Sequence, residues 1–402
     1  KSMDIILHHD KFHRRIYKFY RVTKIQKEDQ TIRHLLCYYQ ELACKNYPSE
    51  EKMDAVLGRF YDAKFRVRLT NYGCYSLMEY SLSAIEPIFI QDESYQSEAL
   101  EALFLKLIEP TFDPSVAEGL FERAYEIYES DLLMRQENYA TVALQKALKE
   151  YFKGTDRDFD STGSLKDLES ITLEGLKGYY EKAKQEETLL LLCSLDEKQS
   201  RKTYSLTPKK DYHFKRRNNI RGRFYEDAPT EQCYLQVFYE TKTYADDRLY
   251  YAMMFLNHLF GGSSSSKLFT IVREKYGLCY SINSMYLGAS GILICSAIIE
   301  KKDVDATLKA MEEALTSIQK EEYDLEEVRK YYLSLHRGNE DYQETAINNY
   351  LSDHFFLDTP RSYLEEEAIQ AVSKKDLQEA FSRLEQTFVY VYGGGTDHGK
   401  TH

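Results

Sequence analysis

Apolar side chains recur at a four-then-three spacing after two hydroxyl residues that lie 201 positions apart. After Thr172 the stripe is Leu176, Tyr179 and Tyr180; after Ser373 it is Leu377, Ala380 and Phe381. That spacing gathers the apolar groups on one helix face, and Thr or Ser suits the first position because its hydroxyl accepts a free first-turn amide. A dense apolar run follows each stripe, at Thr188–Leu195 and Phe388–Tyr392, and predicts a strand. The beginnings of the two halves correspond as well. Ile16–Val22 reads as a strand before a helix over Asp29–Ala43, and Cys233–Glu240 reads as a strand before a helix over Asp246–Phe260. The pattern predicts an internal repeat of about 200 residues, long enough for each copy to form a domain.

Further helices are predicted at Glu98–Ile108, over Ser115–Tyr151 as one element, at Leu325–His336 and at Thr345–Phe356. Another starts at Asp303 and carries Val304, Leu308, Met311, Leu315 and Ile318 as a core stripe. Alternating positions, as at Val67, Leu69 and Asn71 or at Leu278, Tyr280 and Ile282, mark strands. The class expected is α+β, antiparallel sheets covered by helices on one face. The domains are 1–196 and 231–402, with 197–230 as an exposed linker. Residues 198–223 hold ten Lys or Arg against the single acid Asp211, without the aromatic–basic repeat of a nucleic-acid surface.

Composition narrows the classes. The formal net charge is −12, from 65 acidic and 53 basic residues, which argues against nucleic acid and anionic membranes as partners. Seven cysteines at 37, 44, 74, 193, 233, 279 and 295 form no Cys-x-x-Cys pair and fit a reducing compartment. No apolar run reaches the roughly 18 residues of a membrane span, and the N-terminal stretch lacks signal-peptide organisation, so a cytoplasmic location is expected. The Gly-rich polar tail from Gly393 is expected to fray.

Chemistry concentrates at 259–286, Leu-Phe-Gly-Gly-Ser-Ser-Ser-Ser-Lys-Leu-Phe-Thr-Ile-Val-Arg-Glu-Lys-Tyr-Gly-Leu-Cys-Tyr-Ser-Ile-Asn-Ser-Met-Tyr. A Gly/Ser turn leads into a short helix from Lys267, capped from Ser263–Ser266, with Leu268, Phe269 and Val272 inward. Gly277 ends it, and a strand follows. Arg273 and Tyr280 stand seven residues apart across that junction. Arg carries a permanent charge and a planar donor fork, and a Tyr hydroxyl can donate to a carbonyl oxygen that gains charge. A structural role is the alternative, with Arg273 complementing the helix C-terminus and Tyr280 filling a core.

This stretch, within a duplicated α+β frame, resembles the pitrilysin/insulinase family of zinc peptidases. Mitochondrial processing peptidase and the bacterial two-subunit members are nearest in layout. The resemblance implies two homologous domains of the LuxS/mitochondrial-processing-peptidase-like metallohydrolase type. It also implies that Arg273, Tyr280 and the Gly-rich loop at Gly261 and Gly262 bind substrate backbone. Active members carry His-x-x-Glu-His, two histidines on one helix face for Zn²⁺ and a Glu as general base. That motif occurs nowhere in this chain. One register of the matching helix puts His34, Cys37 and Tyr38 at the three positions; another puts Cys37, Gln40 and Glu41 there. Glu122 and Glu129 keep the spacing of the family's accessory and ligand Glu, or else form a solvated face.

Bound Zn²⁺ lowers the pKa of water from about 16 to about 7. At about 1.4 kcal/mol per unit that is on the order of 10 kcal/mol, which no lone Gln or Glu supplies. No metal or other cofactor is therefore expected in this chain. His34 with Cys37, and His8, His9 and His13, are weaker metal candidates. The resemblance implies a non-catalytic, substrate-binding subunit beside a zinc-bearing homologous partner that processes peptides. The alternatives are a non-enzymatic peptide-binding or scaffold protein, homodimeric in isolation, and an active zinc endopeptidase with unusual ligands.

Overall fold

The computed structural model describes residues 3–195, 206–215, 219–321, 323–357 and 365–395. Part of the basic stretch 198–223 and most of the Gly-rich tail lie outside the described residues. The first half runs β1 (Ile5–His8), β2 (Arg14–Lys24), α1 (Gln30–Leu42), α2 (Glu50–Arg59), β3 (Lys64–Tyr72) and β4 (Tyr75–Ile85). It continues through α3 (Ser97–Leu107), α4 (Ala117–Glu137), α5 (Tyr139–Tyr151), α6 (Leu165–Leu168), α7 (Leu173–Ala183) and β5 (Glu187–Ser194). The second half runs β6 (Gly222–Glu226), β7 (Gln232–Glu240), α8 (Tyr250–Gly261), a π-helix at Leu268–Lys275, β8 (Cys279–Leu287) and β9 (Ile292–Glu300). Then come α9 (Val304–Lys320), α10 (Leu325–Asn339), α11 (Gln343–Leu351), a π-turn at Ser352–Phe356, α12 (Glu365–Ala371), α13 (Lys374–Arg383) and β10 (Glu385–Gly393).

The repeat is visible in the topology. One sheet has the order β1-β5-β2-β4-β3 and the other β6-β10-β7-β9-β8, the same order once renumbered. The outer pair is parallel in each, β1 with β5 and β6 with β10, and the remaining pairs are antiparallel. The α+β class holds. Thr172 caps α7, its hydroxyl accepting the Gly175 amide at 3.1 Å. Ser373 caps α13 in a reciprocal box with Asp376. Asp303 makes no such bond at the start of α9.

Two compact units result, one of residues 1–135, 159–212 and 343–357, the other of 136–158, 213–342 and 358–402. In unit 1 the main core lies between one face of the sheet and α1, α3, α4 and α7, with Tyr17, Leu35, Leu36, Leu103, Phe104 and Leu176 among its members. The other face is covered too, by Ile347, Leu351, Phe355 and Phe356 against Ile16, Tyr20, Leu189 and Leu191. Unit 2 repeats this: its second face carries Ala143, Ala147 and Tyr151 of α5 against Phe238, Ile294 and Phe388. The expectation of one covered face is thereby corrected. A run such as Leu189-Leu190-Leu191-Leu192 in β5 is apolar on both sides of the pleat and needs cover on both.

The helix expected over Ser115–Tyr151 is two helices. Asn138 leaves helical geometry (φ −92°, ψ 94°), and its side chain caps α5 by accepting the Thr141 amide at 3.1 Å. The apolar stripe Leu120, Ala124, Tyr128 and Leu132 of α4 serves unit 1, whereas Ala143, Ala147 and Tyr151 serve unit 2. Charge is buried on both faces of the unit 1 sheet, Lys18 on the second face and Arg15 on the first beside Tyr17. Lys18, fully buried, donates to Glu79 at 2.8 Å and sits 2.9 Å from Glu344 of α11. Arg15 reaches Glu86 at 2.7 Å, both 1% exposed.

Candidate functional site

In unit 1 the site is α1, held over the sheet by Leu35, Leu36 and Tyr39. Its polar residues are bonded within the unit. Arg33 donates to both oxygens of Glu186, at 2.6 and 3.0 Å, and to the Ser76 hydroxyl at 3.1 Å. The His34 Nε2 lies 2.8 Å from the Ser161 carbonyl oxygen. A carbonyl only accepts, so that nitrogen carries the proton and has no lone pair for a metal. Burial also holds the His34 pKa below the ordinary imidazole value. Cys37 is buried, and its thiol is pushed far up by loss of solvent, the opposite of a metal-ready thiolate.

Tyr38 donates to Asp131 at 2.5 Å and stacks on Tyr128, with ring centroids 4.9 Å apart. The Gln40 amide oxygen accepts from Tyr80 at 2.7 Å. Glu41 turns to the sheet, accepting from Arg66 at 2.7 Å and from the Val67 amide at 2.9 Å.

These contacts set the residues of the two registers on different faces of α1. His34 and Tyr38 share the face that meets α4, while Gln40 and Glu41 face the sheet. What α4 presents to that face is Tyr128 and Asp131, rather than Glu122, which is exposed, or Glu129, which is half-buried. Asp131 went unsignalled: the Glu122–Glu129 spacing drew attention to the next strip of the helix, though Tyr128 and Asp131, three apart, mark the face in contact. Zinc does not fit here. Of the three positions only His34 is an imidazole, its Nε2 is committed, and the Tyr38 hydroxyl is bonded to a carboxylate. Among the described residues no group of three His, Cys, Asp or Glu is placed to hold a metal. His9 is engaged separately, its Nε2 at 3.1 Å from the Arg14 carbonyl and 3.2 Å from Glu86, while His13 packs on Phe89.

In unit 2 the site is the junction from the π-helix to β8. Ser266 accepts the Phe269 amide at 3.4 Å, and Leu268 and Val272 are buried. Gly277 stands at φ +61°, where a side chain would be strained, and its amide closes the helix on the Arg273 carbonyl at 3.0 Å. Gly261 is buried against β8: a Cβ there would lie 2.5 Å from the Ser284 hydroxyl and 2.6 Å from Leu268, so close packing of α8 on the strand requires glycine. Gly262 is exposed.

Arg273 is exposed and rests its guanidinium over the Phe269 ring, 4.8 Å from the centroid. Tyr280 is 57% exposed and is the extra residue of a bulge, since Cys279 pairs with Ile299 and Ser281 with Ile298. Neither side chain has a hydrogen-bonding partner among the described residues. Lys275 and Tyr276 beside them are engaged by Glu313, both at 2.7 Å.

Residues 170–332 match the family described as Peptidase M16 inactive domain. A Bacillus subtilis (strain 168) protein named Probable inactive metalloprotease YmfF is 22% identical over 329 residues, 77% of this chain and 76% of that one. Among solved structures, a conserved protein from Enterococcus faecalis V583 superposes with a TM-score of 0.86 at 22% identity, covering 98% of this chain and 96% of its own. A peptidase M16 inactive domain from Pseudomonas fluorescens gives a TM-score of 0.73 at 15% identity, again over 98% and 96%. No helix among the described residues is long and apolar enough to cross a membrane. With its α1 polar groups bonded within the unit, the chain is similar over residues 170–332 to the Peptidase M16 inactive domain, and over most of its length to a protein named a probable inactive metalloprotease.

Proposed function

We propose that this chain is the non-catalytic, peptide-holding subunit of a two-chain zinc peptidase, working in the cytoplasm beside a homologue that carries His-x-x-Glu-His. The observation that carries the reading is the contrast in bonding. The α1 groups are internally satisfied, whereas Arg273 and Tyr280 stand exposed without a hydrogen-bonding partner among the described residues, a guanidinium and a phenol able to donate to a peptide carbonyl. The chain supplies no zinc-bound water and no base, so hydrolysis belongs to the partner. Arg273 and Tyr280 would hold and orient the substrate backbone and donate to the carbonyl oxygen as charge develops.

The test begins with metal content. The purified chain should hold no stoichiometric zinc by elemental analysis and cleave no peptide. With the zinc-bearing homologue added, Arg273→Ala should lower kcat/KM by about a hundredfold, the scale for removing one such donor. Equal turnover with wild type and both Arg273→Ala and Tyr280→Phe would end the reading. A non-enzymatic peptide-binding or scaffold role is the second reading, favoured by the fully occupied α1 face. Co-expression separates the two: a chain that ignores its zinc-bearing homologue and pairs with itself belongs to the second.

A further inference from the structure

The apolar stripe of α13, Leu377, Ala380 and Phe381, corresponds to Leu176, Tyr179 and Tyr180 of α7, and the two stripes are covered differently. In unit 1 the last ring of the stripe is packed. Phe112 lies on Tyr180 with centroids 5.6 Å apart and stacks on Tyr39 of α1 at 5.0 Å. The Arg21 guanidinium stands 5.8 Å from the centroid of the same Tyr180 ring. In unit 2 Leu377 and Ala380 are buried, but Phe381 is half-buried and meets no other ring among the described residues.

Beside Phe381 is a pocket of about 150 Å³ between α8, the end of α9 and α13. Its wall is apolar. Leu256 of α8 and Ile318 of α9 are buried there, and Leu377, Phe381 and Tyr323 complete the lining. A space of about this size lined by Leu, Ile and Phe takes one benzene ring.

The rim is cationic. The Lys374 ammonium lies 5.9 Å from the centroid of the Tyr323 ring, and Lys320 stands at the end of α9. Both lysines are exposed, and neither has a carboxylate partner among the described residues. The Tyr323 hydroxyl likewise has no hydrogen-bonding partner among them. Glu321 is the one acid of the lining, and Lys267 neutralises it from outside the pocket. A ring-sized apolar space is thus bordered by two ammonium groups and a phenol, and its own carboxylate is already paired. Such a rim favours an anionic ligand over a neutral or cationic one.

We propose that this pocket binds a free aromatic monocarboxylate with a single six-membered ring, the ring against Leu256, Ile318 and Phe381 and the carboxylate on Lys374 and Lys320. Neither Arg273 nor Tyr280 takes part, so the site stands apart from peptide holding. The C-terminal residue of a peptide offers the same ring and carboxylate. Its main chain, however, would need backbone partners, and α8, α9 and α13 bond theirs along the helices.

The test is calorimetry and saturation-transfer NMR on the full chain with 3-phenylpropionate. One molecule should bind per chain, and 3-phenylpropionamide, similar in shape but uncharged, should bind about tenfold more weakly. Lys374→Ala should weaken binding of the acid by about fivefold or more and leave the amide as it was. Lys267→Ala alters no wall of the pocket but leaves Glu321 unpaired, and it should weaken the acid selectively as well. Gln378→Phe, at an exposed position of the lining, should fill the space and remove binding, with an unchanged melting temperature as the check on folding. The peptide acetyl-Ala-Ala-Phe with a free C-terminus should bind more weakly than 3-phenylpropionate. Absence of saturable binding, or binding that survives in folded Gln378→Phe, overturns the site. Equal binding of acid and amide, or of the acid by wild type and Lys374→Ala, overturns the carboxylate contact and with it the ligand class. Tighter binding of the peptide overturns the free acid and makes the pocket a seat for a chain terminus.

Discussion

Arg33 and Arg273 belong to the two halves of one duplicated plan and do opposite things. Arg33, 1% exposed, is closed into bonds with Glu186, Ser76 and the Arg21 carbonyl. Arg273 lies on a phenylalanine ring and meets no carboxylate among the described residues. The same contrast holds for the phenols: Tyr38 is bonded to Asp131, while Tyr280 is open at a bulge. Each unit has a sheet, covering helices, and an arginine and a tyrosine of these kinds. In unit 1 those groups now stabilise the fold. In unit 2 they are left available. An unpartnered charge on the surface costs little, whereas a buried one must be paired, so stability measurements read the difference directly.

The largest effect expected is at Arg33. Arg33→Ala strands the mostly buried Glu186 carboxylate and should cost about 3–5 kcal/mol, the range for breaking a buried ion pair. Arg273→Ala should stay within about 0.5 kcal/mol. Urea unfolding of the full chain, with exchange in β2 and β4 reporting unit 1 and in β7 and β9 reporting unit 2, measures both. Comparable losses would mean that Arg273 is as structural as Arg33, and the contrast would fail.

The repeat was legible in the sequence because it is written in local patterns. Thr172 and Ser373 announce helix starts that do carry cap bonds, and the strands beyond them are dense apolar runs. The absence of His-x-x-Glu-His was equally plain. Long-range choices were not legible. Nothing in the spacing of Ala143, Ala147 and Tyr151, or of Ile347 and Leu351, says which sheet those helices cover, since an amphipathic helix fits any apolar face of suitable shape. The Glu41 bond to Val67 spans 26 positions and joins a side chain to a backbone amide, a pairing without sequence signature. Which face of α4 meets α1 is not legible for the same reason: helix rotation is fixed by neighbours, and Tyr128 rather than Glu129 turns inward.

A smaller effect sharpens the phenol pair. Tyr38→Phe leaves the Asp131 carboxylate without its donor in a half-buried setting and should cost about 1–3 kcal/mol. Tyr280→Phe should leave stability unchanged, because no acceptor loses a bond. A Tyr38→Phe protein as stable as wild type would mean that the α1 face is wet, and that its positions are open in the way Tyr280 is.

The smallest effect is a slope with pH, and it tests that same closure at His34. Burial is the main cause of its lowered pKa, with Arg135 and Arg33 acting in the same direction against the Ser161 bond. The unfolded chain regains the ordinary value near 6.5 and takes up its proton at a higher pH than the folded one. Below that value the unfolded state binds more protons, so stability falls as pH falls; above it both states are neutral and His34 contributes nothing. Unfolding free energies of wild type and His34→Gln, compared from about pH 7.5 to about pH 5, should therefore agree at the upper end and diverge at the lower, the variant losing less. His9 and His258 are also lowered by burial and remain in both proteins, so a residual slope of the same sign persists. Parallel curves across the whole range would show His34 to be as accessible in the folded chain as in the unfolded one. The α1 face would then be open to solvent, and the division between a closed site in unit 1 and an open one in unit 2 would lose its physical basis.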